Sequence, residues 1–307
     1  MNGWPNGTTA IFCCTVVEQF DAVFEERDVL ALVAEGWQEP PAYTVQGAPA
    51  KPVTLDKMSL VGWERTTPTP GEYLRTMLFW QLSGAIDYPV NTSLQLVRRR
   101  YTHYPGGWRA DRRRDCHGRL PAMPLPDYKV MLLPADLAPG RYRLEVIAYE
   151  VYTHSPLADP VAVDWFMLGP PPTTPTHALD ISWQPGISLQ GHDELPATLT
   201  PQANFVLRFV WTTAAAMRDD YTAFVHLIGP DDTIIAQHDR QPLDGFYPTS
   251  AWTVGDSVED FYGLSLPATL SAGDYRLLVG WYLPATGERL RLADGSDAAE
   301  IARWVAP

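Results

Sequence analysis

Five carboxylates crowd one stretch of the chain: Asp239, Asp244, Asp256, Glu259 and Asp260. Glycan-cleaving enzymes need only two carboxyl groups about 5–10 Å apart, so this stretch could supply a catalytic pair. Against that, Asp244 precedes a glycine and Asp256 follows one, the pattern of turn residues whose side chains bond their own backbone. Interleaved with the acids are Gln237, Phe246, Tyr247 and Trp252. Flat rings beside amides and carboxylates suit stacking on sugar faces with hydrogen bonds to hydroxyls. Gln237, Asp239, Tyr247 and Trp252 are therefore the candidate glycan site, with Tyr247 and Trp252 as the stacking surface. The competing expectation is that these rings tuck back and pin their own loop.

Other chemistries find little support. The chain has no Gly-x-Ser-x-Gly elbow, no His-Glu-x-x-His, no phosphate-cradling glycine loop and no Cys-x-x-Cys. Asp219-Asp220 and Asp231-Asp232 could offer oxygens to calcium, but paired acids in turns are ordinarily solvated. His226 falls within a strand and His238 precedes Asp239, with no further ligand set around either. No metal and no cofactor are expected. Cys13, Cys14 and Cys116 lack the spacing of a disulfide framework or zinc site.

The net charge of the 307 residues is −13, and from Asp180 onward 17 acidic residues face 7 basic ones. Such a surface repels a phosphate backbone, so nucleic acid is not an expected partner. No run reaches the ~18 apolar residues of a membrane span, and no basic segment precedes the short apolar stretch Thr9–Val17, so no export signal is read. Asn6 and Asn91 head formal glycosylation sequons, which are read as coincidental.

The elements that must position these residues are written twice. At a constant offset of 133, Asp87, Tyr88, Leu94, Asp127, Leu133, Pro134, Gly140, Tyr142, Leu144, Val146 and Tyr149 recur as Asp220, Tyr221, Leu227, Asp260, Leu266, Pro267, Gly273, Tyr275, Leu277, Val279 and Tyr282. Trp80 and Trp211 match at 131, which implies a two-residue loop change between them. A period this long is a domain. Phe205, Leu207, Phe209 and Trp211 alternate with Val206, Arg208 and Val210, which predicts a central strand. Tyr73–Trp80, Tyr142–Tyr149, Tyr221–Leu227 and Tyr275–Trp281 repeat the pattern between Pro, Gly and Asp clusters.

Short strands without intervening helices predict an all-β chain of two tandem antiparallel β-sandwiches, Ig-like or jelly-roll-like. The predicted organisation is an N-terminal segment 1–51, a first sandwich 52–168, a stiff Pro/Thr linker 169–179 and a second sandwich 180–307. Within the N-terminal segment, Val16, Phe20, Val23, Phe24 and Leu30 predict a short amphipathic helix over Thr15–Ala34.

One stretch breaks the repeat. Between Arg98 and Arg119 stand 8 of the chain's 23 basic residues, and the positions matching Gln237, Asp239, Pro242 and Gly245 hold Tyr104, Gly106, Arg109 and Arg112. Three readings stand: a diverged surface loop, a pair of compensating frame shifts, or an anion-binding arginine patch.

The second copy, from Ala223 to Leu292, carries Gln237-His238-Asp239, Gly245-Phe246-Tyr247-Pro248-Thr249-Ser250, Trp252, Gly255, Asp260 and Thr286-Gly287-Glu288-Arg289-Leu290. With these pieces it resembles the soluble C-terminal β-sandwich modules of bacterial membrane glycosyltransferases related to dolichyl-phosphate-mannose-dependent mannosyltransferases. The resemblance covers roughly residues 52–306, more faintly in the first copy. It implies a place on the extracytoplasmic face of the cell envelope, with a glycan or a membrane glycosyltransferase as partner. It implies no catalytic residue, because the transferase part of such proteins is absent here. The expectation is a non-catalytic accessory protein of cell-envelope glycan assembly; the alternative is a glycan-cleaving or glycan-modifying enzyme with a carboxylate pair.

Overall fold

The computed structural model describes residues 47, 53–55, 57–83, 90–98, 108–111, 125–150 and 152–306, with backbone only at 108–111, 125, 126 and 128. The expected helix at 15–34, all three cysteines and most of Arg98–Arg119 lie outside these residues. The chain divides between Leu168 and Gly169 into two units.

The first unit contains β1 (Val53–Leu55), β2 (Met58–Arg65), β3 (Tyr73–Leu82), β4 (Val90–Arg98), β5 (Trp108–Asp111), β6 (Leu125–Leu132), β7 (Gly140–Glu150) and β8 (Val161–Leu168). The second contains β9 (His177–Trp183), β10 (Ile187–His192), β11 (Asn204–Thr213), β12 (Thr222–Ile228), β13 (Ile234–Arg240), β14 (Ser257–Ser265), β15 (Gly273–Tyr282) and β16 (Ala299–Ala306). All pairings between them are antiparallel. The sheets of the first unit run β1-β2-β3-β6 and β5-β4-β7-β8, and those of the second β9-β10-β11-β14 and β13-β12-β15-β16. Adding eight to each strand number converts one unit into the other. The protein is thus a tandem of two antiparallel β-sandwiches, and the sequence repeat is a repeat of topology.

Finer features repeat as well. A bulge falls between Leu60 and Gly62 in β2 and between Leu189 and Gly191 in β10. Another falls at Val163 in β8, opposite Leu144 and Glu145, and at Ile301 in β16, opposite Leu277 and Leu278. The Tyr142 hydroxyl donates to the carbonyl of Ala138 at 2.8 Å, and the Tyr275 hydroxyl to that of Ser271 at 2.9 Å. This tyrosine corner ties the turn before a strand to the strand itself, a device found in immunoglobulin-type sandwiches. It explains why the Leu-Pro-Ala turn and the following Gly-x-Tyr recur together.

Each core forms from the inward members of the alternation. In the first unit Leu74, Leu78 and Trp80 of β3 meet Leu94 and Leu96 of β4 and Tyr142, Leu144 and Val146 of β7. In the second, Trp211 of β11 is fully buried and packs edge-on against Trp281 of β15 at 4.8 Å, joining the two sheets. Trp183 at 6.1 Å and Phe209 at 5.7 Å complete the cluster. β11 lies inside its sheet, as its alternation requires, and of its outward residues only Asn204 and Val206 are exposed. Asn91 is buried in β4, which leaves its sequon no route to a glycan in the folded protein.

The expected linker is corrected. His177 and Ala178 already pair with His192 and Gly191, so β9 begins inside it. Upstream, Arg208 donates to the carbonyl and hydroxyl of Thr173 at 2.7 and 3.0 Å, and Asp193 accepts the Thr176 N–H at 3.2 Å. Gly191 is needed here, since a Cβ on it would meet the His177 carbonyl and the Pro175 ring. Residues as far back as Thr173 therefore belong to the second unit, because partners distant in sequence bind them.

Two outcomes are expected. A fragment of residues 169–307 melts cooperatively and at higher temperature than one of residues 180–307, which lacks the start of β9 and both threonine anchors; equal melting temperatures would contradict this docking. Trp211→Ala costs the full chain about 3–5 kcal/mol of stability in denaturant melts, the cost of removing a large buried aromatic side chain.

Candidate functional site

Arg240 ends β13, and its guanidinium sits at the centre of the carboxylate-rich stretch. Nη1 donates to Asp244 Oδ1 at 2.6 Å, and Nη2 donates to Asp260 Oδ1 and to the Phe261 carbonyl. The cation lies 5.1 Å from the Tyr262 ring centre. Asp260 is fully buried on the inward face of β14, where it also accepts the N–H groups of Leu243 (3.1 Å) and Phe261 (3.0 Å) and the Tyr262 hydroxyl (3.1 Å). Burial pushes the Asp260 carboxyl up from its ordinary value, opposed by the Arg240 charge and the backbone donors. Burial, and then the charge on Asp260, push the Tyr262 phenol well above its own. Tyr262 is therefore a proton donor at any physiological pH, and it donates to Asp260.

That network fixes the loop between β13 and β14. Pro242–Gly245 and Thr249–Ala251 form single 3-10 turns. Leu243 and Asp244 are both left-handed, at φ 52° and 54°, followed by Gly245 at 76°. A left-handed non-glycine residue costs about 1–3 kcal/mol, and the bonds from Leu243 N–H to Asp260 and from Arg240 to Asp244 hold this conformation in place. Thr249, fully buried, donates to the Asp219 carbonyl at 2.7 Å and accepts the Tyr221 N–H at 2.9 Å.

The expected stacking surface is corrected at this point. Tyr247 and Trp252 are 1% and 3% exposed and stack on each other with centres 6.2 Å apart. Trp252 meets Trp281 edge-on at 5.9 Å, and its indole N–H donates to the Tyr247 carbonyl at 3.0 Å. The Tyr247 hydroxyl donates to Asp256. Phe246 is buried too. The two short turns fold these rings back over the end of the tryptophan core, so they pin the loop and offer no face to a sugar.

Gln237 and Asp239 are placed differently. Both are exposed on the outward face of β13, where Asp239 pairs across to Phe224 and Gln237 to His226. Asp239 accepts a hydrogen bond from His226 Nε2 at 2.9 Å, and Gln237 makes no side-chain hydrogen bond among the described residues. The structure thus separates the four predicted residues into two outward and two buried. Their outward neighbours Phe224, His226 and Tyr282 follow from strand parity, a signal available in the sequence once the strand pairing is known.

All five carboxylates have partners. Asp244 and Asp260 serve Arg240, Asp256 serves Tyr247 and the Thr253 N–H, Glu259 takes Arg208 Nε at 2.5 Å, and Asp239 serves His226. Asp231 binds Thr233 within its turn, Asp232 takes Arg276 at 2.5 Å and Asp220 accepts the Ser250 N–H. Among the described residues no three His, Cys, Asp or Glu side chains group as metal ligands would, and no helix is long and apolar enough to cross a membrane.

No family model and no curated protein matches the chain. Among solved structures, it is similar to a glycosyl hydrolase family 2 member from Bacteroides cellulosilyticus DSM 14838, at 8% identity and TM-score 0.26, over 77% of this chain and 31% of that one. It is also similar to the C-terminal domain of the Streptococcus agalactiae antigen I/II polypeptide BspA, at 8% identity and TM-score 0.22, over 77% and 93% of the two chains. A third likeness is to the C-terminal domain of the Streptococcus pyogenes antigen I/II-family protein AspA, at 8% identity and TM-score 0.22, over 80% and 94%. The match spans less than a third of the first of these proteins. Likenesses at this level say nothing of activity or ligand.

Arg240→Met leaves Asp260 buried without its cation and is expected to cost about 3–5 kcal/mol. Adding Asp260→Asn to that variant recovers part of the loss in urea melts. No recovery would mean that the carboxylate is matched by the backbone donors alone.

Proposed function

We propose that this chain is a non-catalytic pair of β-sandwich modules accompanying cell-envelope glycan assembly, through glycan binding or through docking to a membrane glycosyltransferase. The observation that carries the non-catalytic part is the commitment of the carboxylates. A glycosidase needs one carboxyl free to give a proton and another free to attack or to activate water. Here Asp244, Asp256 and Asp260 hold the loop between β13 and β14, and Glu259 is bound to Arg208 across the sheet. The setting beside a glycosyltransferase rests on the sequence resemblance. The outward position of Gln237 and Asp239 supports the glycan part of the reading.

The test is incubation of the full chain with neutral and acidic oligosaccharides, with products followed by chromatography. The expected outcome is no product above the protein-free control. Turnover that falls in Asp239→Asn or Glu259→Gln would establish the enzyme alternative instead.

A further inference from the structure

Two of the sequence pieces singled out above, Gln237-His238-Asp239 and Thr286-Gly287-Glu288-Arg289-Leu290, lie 47 or more residues apart in the chain. The fold brings them to one place. Leu290 N–H donates to the Trp281 carbonyl at 2.9 Å, and Tyr282 forms an isolated bridge with Arg289, so the segment after β15 turns back alongside it. Arg289 then lies over the Phe224 ring at 4.4 Å. Phe224 is seated over Gly280, where a Cβ would come within 2.4 Å of the ring, and its centre is 6.5 Å from that of Tyr282. On the other side of Phe224 stand Asp239, its cross-strand partner, and then the His226–Gln237 pair.

The outward face of the second sandwich therefore carries a partly exposed tyrosine ring with a guanidinium beside it, a carboxylate across Phe224 on β13, and an unengaged carboxamide two residues farther along that strand. From this arrangement we infer a binding site for a neutral pyranose glycan on the β13-β12-β15 face, with Tyr282 as the stacking ring and Gln237, Asp239 and Arg289 meeting its hydroxyls. This rests on the glycan part of the proposed function and assigns it a place and a ligand class. A sugar hydroxyl both donates and accepts, so a site for vicinal hydroxyls needs both roles within reach. Arg289 donates, Asp239 accepts, and Gln237 does either. His226 holds Asp239 through its Nε2, which orients the carboxylate and makes the histidine a positioning residue.

Charge selects the ligand class. Asp239 adds its field to the burial that pushes the Tyr282 phenol up, and Arg289 already faces Asp297 at 3.4 Å. With 17 acidic residues against 7 basic from Asp180 onward, an anionic sugar would be repelled. Among the described residues the first sandwich differs at this face. Its matching outward positions are Asn91 and Ser93 in place of Phe224 and His226, and Asn91 donates to the hydroxyl of Tyr149, the counterpart of Tyr282, at 2.9 Å.

The experiment is calorimetric titration and saturation-transfer NMR of the full chain with mannotriose, cellotriose and trigalacturonate. At least one neutral trisaccharide is expected to bind, and trigalacturonate about tenfold more weakly or not at all. Tyr282→Ala should weaken binding about tenfold, the worth of one stacking contact, while Tyr282→Phe stays within about twofold. Gln237→Ala alters an exposed group and keeps the test open if Tyr282→Ala or Arg289→Ala, which uncovers Phe224, melts early; Gln237→Ala and Arg289→Ala should each weaken binding several-fold. Binding by neither neutral sugar, or binding unchanged in Gln237→Ala and Arg289→Ala, overturns the site and leaves the non-catalytic reading standing. Cleavage of a trisaccharide during the titration would overturn the non-catalytic reading itself, whatever the variants show.

Discussion

A carboxylate buried inside a sandwich must be met by a cation and by enough donors to replace its water, and this requirement shapes both halves of the protein. The two copies carry the aspartate at equivalent positions, Asp127 and Asp260, with different residues two positions along the same strand, Lys129 and Tyr262. In the second sandwich the cation is Arg240, which comes from the edge strand of the opposite sheet. In the first, Lys129, two residues along the aspartate's own strand, brings a charge to Asp127 with Nζ at 3.1 Å. Thr92, from the opposite sheet, adds a hydroxyl. Lys129 occupies the position that Tyr262 holds in the second copy, so one residue supplies a charge where its counterpart supplies a hydroxyl and a ring face.

In the second sandwich the cation organises more than the carboxylate it meets. Because Arg240 reaches from β13 to β14, it joins the two sheets along one side of the second sandwich and fixes the intervening loop. His238 acts beside it. The Gly263 N–H donates to His238 Nδ1 at 2.8 Å, while Arg240 takes the Phe261 carbonyl, so two side chains from β13 cover backbone groups along the open edge of β14. An uncovered edge of that kind is a template for pairing with other chains. The alternation of β13 thus divides the work: His238 and Arg240 point inward and close the sandwich, and Gln237 and Asp239 point outward and are left to the solvent.

Much of this was legible in the sequence, for a physical reason. Period-two alternation reports burial directly, so the strands at Tyr73, Tyr142, Phe205, Tyr221 and Tyr275 and their inward residues could be read residue by residue. The repeat then carried topology from one copy to the other, down to the bulges and the tyrosine corner. Alternation says nothing inside a turn. Tyr247 and Trp252 sit in a loop whose path depends on Asp260 and on contact with Trp281, both supplied by other strands, so their burial could not be read locally. The linker misled for a related reason: a Pro/Thr composition suggests an extended spacer, but Arg208 and Asp193 bind Thr173 and Thr176 from farther along the chain.

The outward faces show how one scaffold carries two surfaces. Where β4 bears Asn91 and Ser93, β12 bears Phe224 and His226. In the first sandwich the small polar pair bonds to Tyr149 and occupies its hydroxyl. In the second, Phe224 gives Arg289 a ring to lie on, and His226 gives Asp239 a donor. These four outward-facing residues are themselves buried, each held by neighbours on its own face. This exchange of a small polar pair for Phe224 and His226 changes what the sheet offers its neighbours, and it falls on the face that holds Gln237, Asp239, Tyr282 and Arg289.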